Sequence, residues 1–591
     1  MNHYQPPLKD FEFVLHKLLK VHEMNLKGYE DLAPEYTKTI LEEAGKIASD
    51  ELAPLNRIGD LEGCTLENGI VRTPTGFKEA FKKVNDGGWT GINCHQQYGG
   101  QELPHVIALT IGEMFCSANM SLNMYHGLTH GAYSAIYQHG TAEQKKTYLP
   151  NLVNCNWTGT MNLTEPHCGT DLGLIRTKAE KMNDGSYLIS GQKIFISAGD
   201  HDLSDNIIHL VLAKIPGSPK GVKGISMFIV PKFLVKEDGT LGDRNNVTVG
   251  KIEEKMGIHG NSTCVMNYDG AKGYLIAEEN KGLKAMFTMM NEARLGVGLQ
   301  GIGQAEAAFQ KASAYAKERV QGQNISDGKG KEGAVPIIEH PDIRRTLMDQ
   351  KVFIEGARAL ALWCATMLDK AERSSDSESE GLASLLIPVV KGFITDKGFE
   401  STINSQQIFG GHGYIEEWGM SQFARDSRIA MIYEGTNGIQ ALDLVGRKLS
   451  ADGGKHTIRF LSEIKNFINN NSEDAEFNDT FVAPLSEALK DAEKCLAFFM
   501  KEGMQNPNQA LGGATDFMHL LGYLSLGLMW AKMAKVSFEE LDSNKHGDNY
   551  FHGKITSGKY YFKRHLPETA LRRTRILSGS KDMMDMEAAN F

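Results

Sequence analysis

No run of apolar residues in the 591-residue chain is long enough to span a bilayer, which argues against an integral membrane protein. The start, MNHYQPPLKDFEFVLHKLLK, lacks the basic flank and apolar core of a secretory signal, and it is not rich in Arg and Ser like a transit peptide. The 8 cysteines are scattered, with no CxxC pair and no nearby histidine at metal-ligand spacing. This pattern predicts reduced thiols in a cytoplasm, without disulfides or a bound metal, and leaves a peripheral association with a membrane open.

An excess of positive charge is also missing. The formal net charge is -10, which argues mildly against a protein that binds nucleic acid or anionic membranes with its whole surface. The apolar content is that of an ordinary globular protein, and the length is too great for one compact core. We therefore expect a soluble protein of three or four domains.

The order of sequence patterns predicts an α+β protein in which helices and strands are segregated. Helical periodicity covers about residues 36–158, short runs of β-branched and aromatic residues cover 172–280, and helices return from Gly282. The stretches QGQNISDGKGKEG and ERSSDSESEG are predicted as exposed loops, and SADGGKHT as a linker. No GxGxxG follows a predicted strand, so a bound flavin would not use a Rossmann loop. The predicted division is a helical extension (1–35), an α domain (36–160), a β domain (161–280), an α bundle (281–450) and an additional α domain (458–591).

Four short motifs carry most of the chemical information. They are MNLTEPHCGTD at 161–171, GQKIFISAG at 191–199, QQIFGGHGY at 406–414 and RDSRIAMIYEGTNGIQ at 425–440. Taken alone, the first favours a turn into a β domain over a ligand loop. Together, in this order and at this spacing, the motifs resemble those of the acyl-CoA dehydrogenase family. The length and the final helical segment are similar to a bacterial subgroup that includes 3-methylmercaptopropionyl-CoA and broad-range acyl-CoA dehydrogenases.

The resemblance implies a fold and a reaction. The fold would be an N-terminal helical domain, a middle β-barrel-like domain and a C-terminal helical bundle, with an additional helical domain after it. The reaction would be FAD-dependent α,β-dehydrogenation of an acyl-CoA to the trans-2-enoyl-CoA, as in fatty acid β-oxidation. Hydride would go to flavin N5, and electrons would pass to electron-transferring flavoprotein. Because the family binds the adenine end of FAD across a subunit interface, a homodimer or tetramer is implied.

Glu434 matches the position of the family's base. The α-proton of a thioester is weakly acidic, so a carboxylate can remove it when hydrogen bonds stabilise the charge on the carbonyl oxygen. Exclusion of water by substrate should raise the pKa of Glu434. Gly435 would let the chain approach the ligand closely, and Thr436 is a predicted N-cap for the helix that follows. Without the resemblance, a solvated surface carboxylate would be the better interpretation.

A rival base is considered because some family members carry the base just before an arginine on the long helix. Here that arginine is Arg294, a predicted substrate-site residue, although a helix arginine is normally a solvated charge or ion pair. The residue before it is alanine, and Glu292 lies one place further back. Glu292 is therefore kept as the weaker alternative.

Cofactor and substrate contacts are implied by position. Leu163 and Thr164 would meet the pyrimidine edge of the flavin, Phe195 stands where tryptophan is usual, and Ser197 stands where threonine usually bonds N5. Simpler interpretations are a helix–helix turn for FGGHG and a last-turn cation for Arg319. The remaining implied contacts are Gly169 and Thr170 at the pyrophosphate or CoA, Arg319, Gln407, Gly410 and Gly411 at the adenine end, Thr436 at the cofactor, and Thr170, Arg294, Tyr433 and Gly435 at the substrate.

Three further features are weighed against other functions. His126 and His130 are predicted to be core histidines, because no acidic or cysteine partner is evident nearby. A basic cluster near the C-terminus raises a second function, a DNA-binding flavoprotein of the same fold, although pairing with acidic residues of other domains or with CoA phosphates is favoured. An acyl-CoA oxidase that uses O2 is a third possibility, and the length and substituent of the acyl chain remain open. The cluster consists of Lys554, Lys559, Lys563, Arg564, Arg572, Arg573 and Arg575.

Overall fold

The computed structural model of the chain describes residues 4–323, 333–543 and 549–591. Most of the predicted loop QGQNISDGKGKEG lies outside these residues. The described chain divides into two compact units. One, called the β unit, contains residues 4–6 and 40–296. The other, called the helical unit, contains residues 7–39 and the described residues between 297 and 591.

Helices of the β unit cover most of the region predicted to be helical. The longest, His105–His139, is interrupted at Asn119, whose φ is -158° and ψ 91°. Its Oδ1 accepts from the Leu122 amide at 3.1 Å, so the side chain caps the continuing helix. The α-helices are Ala53–Glu62, Phe77–Asp86, His105–His139 and Ala142–Val153, with Pro34–Lys46 and Gly282–Glu318 running across the division between the units.

The sheet of the β unit closes on itself. Strand β11 pairs antiparallel with β5 and β7, β7 pairs with β6, and β4 joins β6 to β5. Strand β3 adds to β6 in parallel, and β10 adds to β11. This closed ring is the predicted β-barrel-like domain. The strands are β1 Thr65–Glu67, β2 Ile70–Arg72, β3 Trp157–Asn162, β4 Lys178–Lys181, β5 Tyr187–Ser197, β6 Asn206–Lys214, β7 Ile225–Pro231, β8 Phe233–Val235, β9 Leu241–Arg244, β10 Val247–Ile252 and β11 Thr263–Ile276.

A hairpin interrupts the region that was predicted to be helical throughout. Strands β1 and β2 pair antiparallel, with Glu67 opposite Ile70, and are joined by Asn68 and Gly69. Both connecting residues have positive φ, 53° and 76°, as a two-residue hairpin turn requires. The purely helical prediction for 36–158 was therefore wrong here, and the Asn-Gly pair was the signal for the turn.

The helical unit contains α-helices throughout its described length. Its two longest complete helices, Pro341–Ser374 and Ser377–Ile408, are separated by Ser375 and Asp376 alone, so the loop predicted over ERSSDSESEG was too long. Asp376 ends that short connection by accepting from the Glu378 and Ser379 amides. The remaining α-helices are Leu8–Glu12, Met420–Arg428, Asn437–Asp443, Lys455–Asn470, Ala475–Phe477, Ala483–Phe498, Pro507–Gly512, Ala514–Ser543, Asn549–Arg564, Glu568–Leu577 and Lys581–Asp585.

A buried ionic network ties the N-terminal segment into the helical unit. Arg358, 1% exposed, donates to the carboxylates of Asp10 at 2.5 Å and Glu306 at 2.7 Å. Lys554 pairs with Asp10 and also with Glu355 at 2.8 Å. Buried charges need such partners, so this network specifies how the N-terminal segment packs on the helices of its own unit.

The C-terminal basic cluster is largely paired with acidic side chains. Besides Lys554, Arg572 donates to Asp516 at 2.8 Å, and Arg573 donates to Asp491. Lys559 lies 3.4 Å from Glu476. The preferred interpretation, pairing with acidic residues of other domains, is confirmed for Lys554. Lys559, Arg572 and Arg573 instead pair with acidic residues inside the segment 458–591. Across the described residues, no helix is both long enough and apolar enough to cross a membrane.

Candidate active site

The loop that begins at Leu163 with the sequence LTEP is hydrogen-bonded to the strand that carries Phe195 and Ser197. The carbonyl of Thr164 accepts from the Ile194 amide at 2.9 Å. The ammonium of Lys193 donates to the Leu163 carbonyl, also at 2.9 Å. The structure therefore brings four predicted flavin contacts, Leu163, Thr164, Phe195 and Ser197, to one edge of this unit.

An ion pair beneath this loop was missed by the sequence analysis. Lys193 is fully buried and donates to Glu165 Oε1 at 2.9 Å, and the Thr177 hydroxyl donates to the same oxygen at 2.6 Å. Burial alone would raise the pKa of Glu165, but the Lys193 ammonium and these hydrogen bonds outweigh it and lower that pKa. Glu165 lies in the motif at 161–171 and Lys193 in the motif at 191–199. A lysine inside a predicted strand was the signal that could have indicated this ion pair.

Phe195 is held in an unusual conformation. Its φ is 60°, a region that a bulky residue rarely adopts, and the residue is 61% exposed. Ala198, next to Ser197, also has a positive φ of 55°. Such strain persists where the surrounding structure imposes it, and it is common at ligand sites. An exposed aromatic side chain on the strand that also carries Ser197 fits a planar heteroaromatic group.

Gly169 and Thr170 lie at the exposed end of the same loop. The loop turns tightly, because the amide and carbonyl of Glu165 pair with those of Cys168 at 2.9 and 3.0 Å. A Cβ on Gly169 would lie 3.4 Å from Thr164 Cγ2, which is an ordinary van der Waals contact. Contrary to the expectation for the cysteines, the side chains of Glu165, His167 and Cys168 place possible ligand atoms within 4.8 Å of one another. Because the Glu165 carboxylate is already bound by Lys193 and Thr177, we assign no metal to this group.

Arg294 and Glu292 lie on the helix Gly282–Glu318 in the β unit. Arg294 is 5% exposed, so it is not a solvated surface charge. Glu292 lies 3.3 Å from Nδ1 of His130. The expectation that His130 lacks acidic or cysteine partners was wrong. Although burial alone lowers the pKa of His130, Cys94 and Glu292 raise it well above its usual value.

His126 is a core histidine, as predicted. Its ring stacks on Phe81 with centroids 4.5 Å apart, and Nε2 lies 3.2 Å from Asn85 Oδ1. Burial lowers the pKa of His126 to about 3. The neutral ring of His126 therefore contributes to the packed core of the β unit.

Glu434, in the helical unit, has a left-handed backbone conformation with φ of 57°, and Gly435 follows with φ of 82°. Glutamate rarely adopts this region, so the loop must be imposed by its contacts. The Gln440 side chain donates to the carbonyls of Glu434 at 3.0 Å and Gly435 at 3.2 Å. Thr436 caps the helix Asn437–Asp443 by accepting from the Ile439 amide at 3.3 Å, which confirms the N-cap prediction.

The loop of residues 432–436, called the Glu434 loop, is held by side chains that the sequence analysis did not identify. The Tyr433 hydroxyl donates to Gln300 Oε1. Fully buried Lys391 donates to the Gly435 carbonyl and to Asn437 Oδ1, each at 2.8 Å. A lysine in the apolar run LLIPVVKGF is the signal that could have indicated such a role.

The residues implied at the adenine end of FAD come together at one exposed end of the helical unit. Arg319 follows the helix Gly282–Glu318 directly, and Gly410 and Gly411 begin the turn after Ser377–Ile408. Four aromatic side chains, Tyr315, Phe409, His412 and Trp418, pack together where the two helices end. The Tyr315 ring stacks on Phe409 with centroids 4.2 Å apart, and its hydroxyl lies 2.9 Å from Nδ1 of His412. Gly410, Gly411, Gln407 and Arg319 are all exposed, and a Cβ at either glycine would meet nothing within 4 Å. The rings of His412 and Trp418 stack with centroids 4.5 Å apart.

Comparison with known proteins identifies the family. Consecutive segments match the acyl-CoA dehydrogenase N-terminal domain (34–156), middle domain (160–271) and C-terminal domain (280–449), and an acetyl-CoA dehydrogenase C-terminal-like domain (460–587). The chain is 40% identical to 3-methylmercaptopropionyl-CoA dehydrogenase of Ruegeria pomeroyi over 97% of this chain and 98% of that protein. The chain belongs to the acyl-CoA dehydrogenase family.

Two further proteins match all or nearly all of the chain. Broad-specificity linear acyl-CoA dehydrogenase FadE5 of Mycobacterium tuberculosis is 32% identical, with 100% of both chains covered. The solved structure of Caenorhabditis elegans ACDH-11 in complex with C11-CoA superposes with a TM-score of 0.80, at 19% identity and covering 96% of this chain and 92% of that one. The predicted family, fold class and enzyme class, an oxidoreductase, are thereby confirmed.

Proposed function

We propose that the protein catalyses FAD-dependent α,β-dehydrogenation of an acyl-CoA thioester, with Glu434 as the base that removes the α-proton. One observation carries the assignment of the base: Glu434 is a glutamate in a left-handed conformation that side chains on neighbouring helices hold in place. A merely solvated carboxylate would gain nothing from this strain, whereas a base needs a fixed position relative to the carbon it deprotonates.

The loop residues have separate tasks in this proposal. Glu434 accepts the proton on a carboxylate oxygen, and its backbone amide is assigned to the thioester oxygen as a hydrogen-bond donor. Gly435 and Tyr433 line the approach of the substrate, and Arg294 and Thr170 contact the substrate. Glu292 is a poorer base because His130 lies 3.3 Å from its carboxylate and competes for it.

FAD is the proposed cofactor because residues of this structure fit it. Exposed Phe195, with the hydroxyls of Thr164 and Ser197 and the backbone of Leu163, suits the flavin ring. Gly169 and Thr170 are assigned to the pyrophosphate or the CoA moiety, Thr436 to the cofactor, and Arg319, Gln407, Gly410 and Gly411 to the adenine end. When bound, FAD supplies the acceptor for the hydride of the β-carbon.

The partners and setting are proposed from the family. Electrons would pass to electron-transferring flavoprotein, in fatty acid β-oxidation or the breakdown of related acyl-CoAs in a bacterial cytoplasm. The family's cofactor binding across subunits supports a homodimer or tetramer. The domain division 36–160, 161–280, 281–450 and 458–591 is proposed with the same assignment. The relatives' substrates support testing 3-methylmercaptopropionyl-CoA beside linear acyl-CoAs.

The test measures bleaching of bound flavin under anaerobic conditions with a panel of acyl-CoAs, in the parent and in Glu434→Gln and Glu292→Gln. The proposal expects bleaching by at least one acyl-CoA in the parent, a loss of at least about a hundredfold in Glu434→Gln, and a loss of less than about threefold in Glu292→Gln. A large loss confined to Glu292→Gln would overturn the assignment of the base. Peroxide formed with substrate in air, without another acceptor, would identify an oxidase instead.

A further inference from the structure

Asn437, three residues after Glu434, connects the Glu434 loop to the helix Ser377–Ile408. Its Nδ2 donates to the Gly392 carbonyl at 3.1 Å, the Thr395 hydroxyl at 2.9 Å and Asp396 Oδ1 at 2.6 Å. Its Oδ1 accepts from Lys391 at 2.8 Å. The amide is therefore bound on both sides, and the start of the helix after Glu434 cannot shift without breaking these bonds.

Asp396 extends this chain of contacts into the additional C-terminal segment, residues 458–591. While Oδ1 accepts from Asn437, Oδ2 lies 2.8 Å from Nε2 of His519, on the helix Ala514–Ser543. Because Nε2 faces a carboxylate, it must carry the proton and donate. His519 is 8% exposed and packs edge-on against Phe393, with centroids 5.4 Å apart and the planes at 90°.

The two helices that carry His519 and Asp396 are in close contact. A Cβ on Gly392 would come within 2.3 Å of Met518 Sδ, and a Cβ on Gly522 would come within 2.3 Å of the Phe393 ring. These glycines on facing helices allow a close approach that a larger residue at either position would disturb. The position of His519 relative to Asp396 is therefore set by packing and does not depend on one hydrogen bond.

We propose that His519 of the additional C-terminal segment is a positioning residue for the Glu434 loop, acting through Asp396 and Asn437. This inference rests on the proposed role of Glu434. Removal of the Nε2–H donor would free Asp396 to rotate and loosen Asn437, and with it the carboxylate of Glu434. The additional segment then contributes directly to the rate of proton removal, and not to folding alone.

The structure offers a matched control for this idea. His565, also in the C-terminal segment, lies 3.0 Å from Asp349 on the helix Pro341–Ser374. Its side chain is 17% exposed and that of its partner 23%, against 10% and 21% for His519 and Asp396. The two pairs are alike in chemistry and burial, but the contacts of Asp349 run to Arg345 and Tyr560 and not to the Glu434 loop.

The experiment compares full-length holoenzyme of His519→Leu, His519→Gln and His565→Leu with the parent. We expect His519→Leu to lower kcat at least about tenfold while KM for the acyl-CoA stays within about twofold, since a displaced base slows the chemical step. Gln can place an N–H near the position of Nε2, so His519→Gln should recover kcat to within about threefold of the parent. His565→Leu should keep the parental kcat even if its melting temperature falls as much as that of His519→Leu.

Equal losses of kcat in both leucine variants, or no recovery by glutamine, would overturn the inference, because stability alone would then explain the loss. If His519→Leu does not fold, His519→Asn replaces it, since its shorter amide cannot reach Asp396; a parental kcat in that variant would also overturn the inference. Glu434→Gln is measured in parallel. An inactive Glu434→Gln beside a fully active His519→Leu rejects this inference alone, whereas a fully active Glu434→Gln rejects the proposed function.

Discussion

The Nζ atom of Lys391 lies 2.8 Å from the carbonyl oxygen of Gly435, the residue that follows Glu434. Lys391 is fully buried on the helix Ser377–Ile408, so this ammonium is a fixed donor and not a mobile surface charge. A buried cation that binds backbone next to a strained glutamate explains how the left-handed conformation at position 434 is maintained.

Lys391→Met should therefore impair both stability and turnover. The substitution removes a donor from the partly buried Gly435 carbonyl and from the buried Asn437 side chain, at a cost of about 2–4 kcal/mol in the free energy of unfolding. The rate of flavin bleaching should fall at least about tenfold as the loop loses its position. Lys397→Met is the control, because Lys397 lies on the same helix but binds Glu400. A parental bleaching rate in Lys391→Met would contradict this role.

Substitution of Phe195 separates flavin stacking from backbone strain. Phe195→Ala should weaken flavin binding about tenfold, since an aromatic pair contributes about 1 kcal/mol beyond its buried area. Phe195→Gly loses the same ring but adopts φ of 60° without strain, so its apoprotein should melt higher than that of Phe195→Ala. Equilibrium dialysis of FAD and thermal unfolding measure the two effects. Undiminished FAD binding in both variants would remove Phe195 from the cofactor site.

The stability of the β unit should depend on pH through His259. Its Nδ1 lies 2.9 Å from the Asp60 carbonyl and its Nε2 2.8 Å from the Lys255 carbonyl, so both nitrogens find acceptors when protonated. The Asp60 side chain, 3.2 Å from Nδ1, is the main reason that the pKa of His259 rises from 6.5 to about 9, against the opposing effect of burial.

Because the folded-state pKa is the higher one, the stabilisation is complete below pH 6.5 and disappears as the pH rises through about 9. The parent should lose about 1–2 kcal/mol of unfolding free energy over this range relative to His259→Gln, after allowance for screening. Denaturant unfolding of both proteins across the range provides the measurement. A constant difference between them would show that folding does not raise the pKa of His259, which would contradict the account.

The buried ionic network predicts a large effect at the N-terminal segment. Asp10→Ala would leave Arg358 and Lys554 without a carboxylate that both now share, which should cost about 3–5 kcal/mol. Burial alone would raise the pKa of Asp10, but Lys554 and Arg358 hold it below its usual value, so the stabilisation persists at neutral pH and is lost only in acid. Asp31→Ala, at an exposed position, should change stability by less than about 0.5 kcal/mol. Equal effects of the two substitutions would contradict the account.

Local sequence rules were sufficient for much of the fold. The strands around Ile189 and Leu210 and the helix that begins at Gly282 follow from side-chain periodicity, and the N-cap at Thr436 follows from its hydroxyl. The hairpin at Asn68 and Gly69 was also within reach, because this pair favours a two-residue turn; the surrounding helical pattern obscured it.

Contacts between distant parts of the chain were out of reach. Lys391 precedes the Gly435 carbonyl by 44 positions, and His519 follows Asp396 by 123. Side-chain periodicity predicts contacts only within one helix or strand, so it could not predict either of these contacts. Both depend on how separate helices pack against one another. The same holds for the pairing of His130 with Glu292, which turned an expected core histidine into a charged neighbour of a rival base.

The most direct test of the central claim is the exchange of the α-hydrogen of bound acyl-CoA with solvent deuterium, followed by mass spectrometry in the parent and in Glu434→Gln. This exchange reports proton removal independently of hydride transfer, and Glu434→Gln preserves the shape of the side chain. The account predicts exchange in the parent and a loss of at least about a hundredfold in the variant, with acyl-CoA and flavin still bound. Exchange at the parental rate in Glu434→Gln would contradict it.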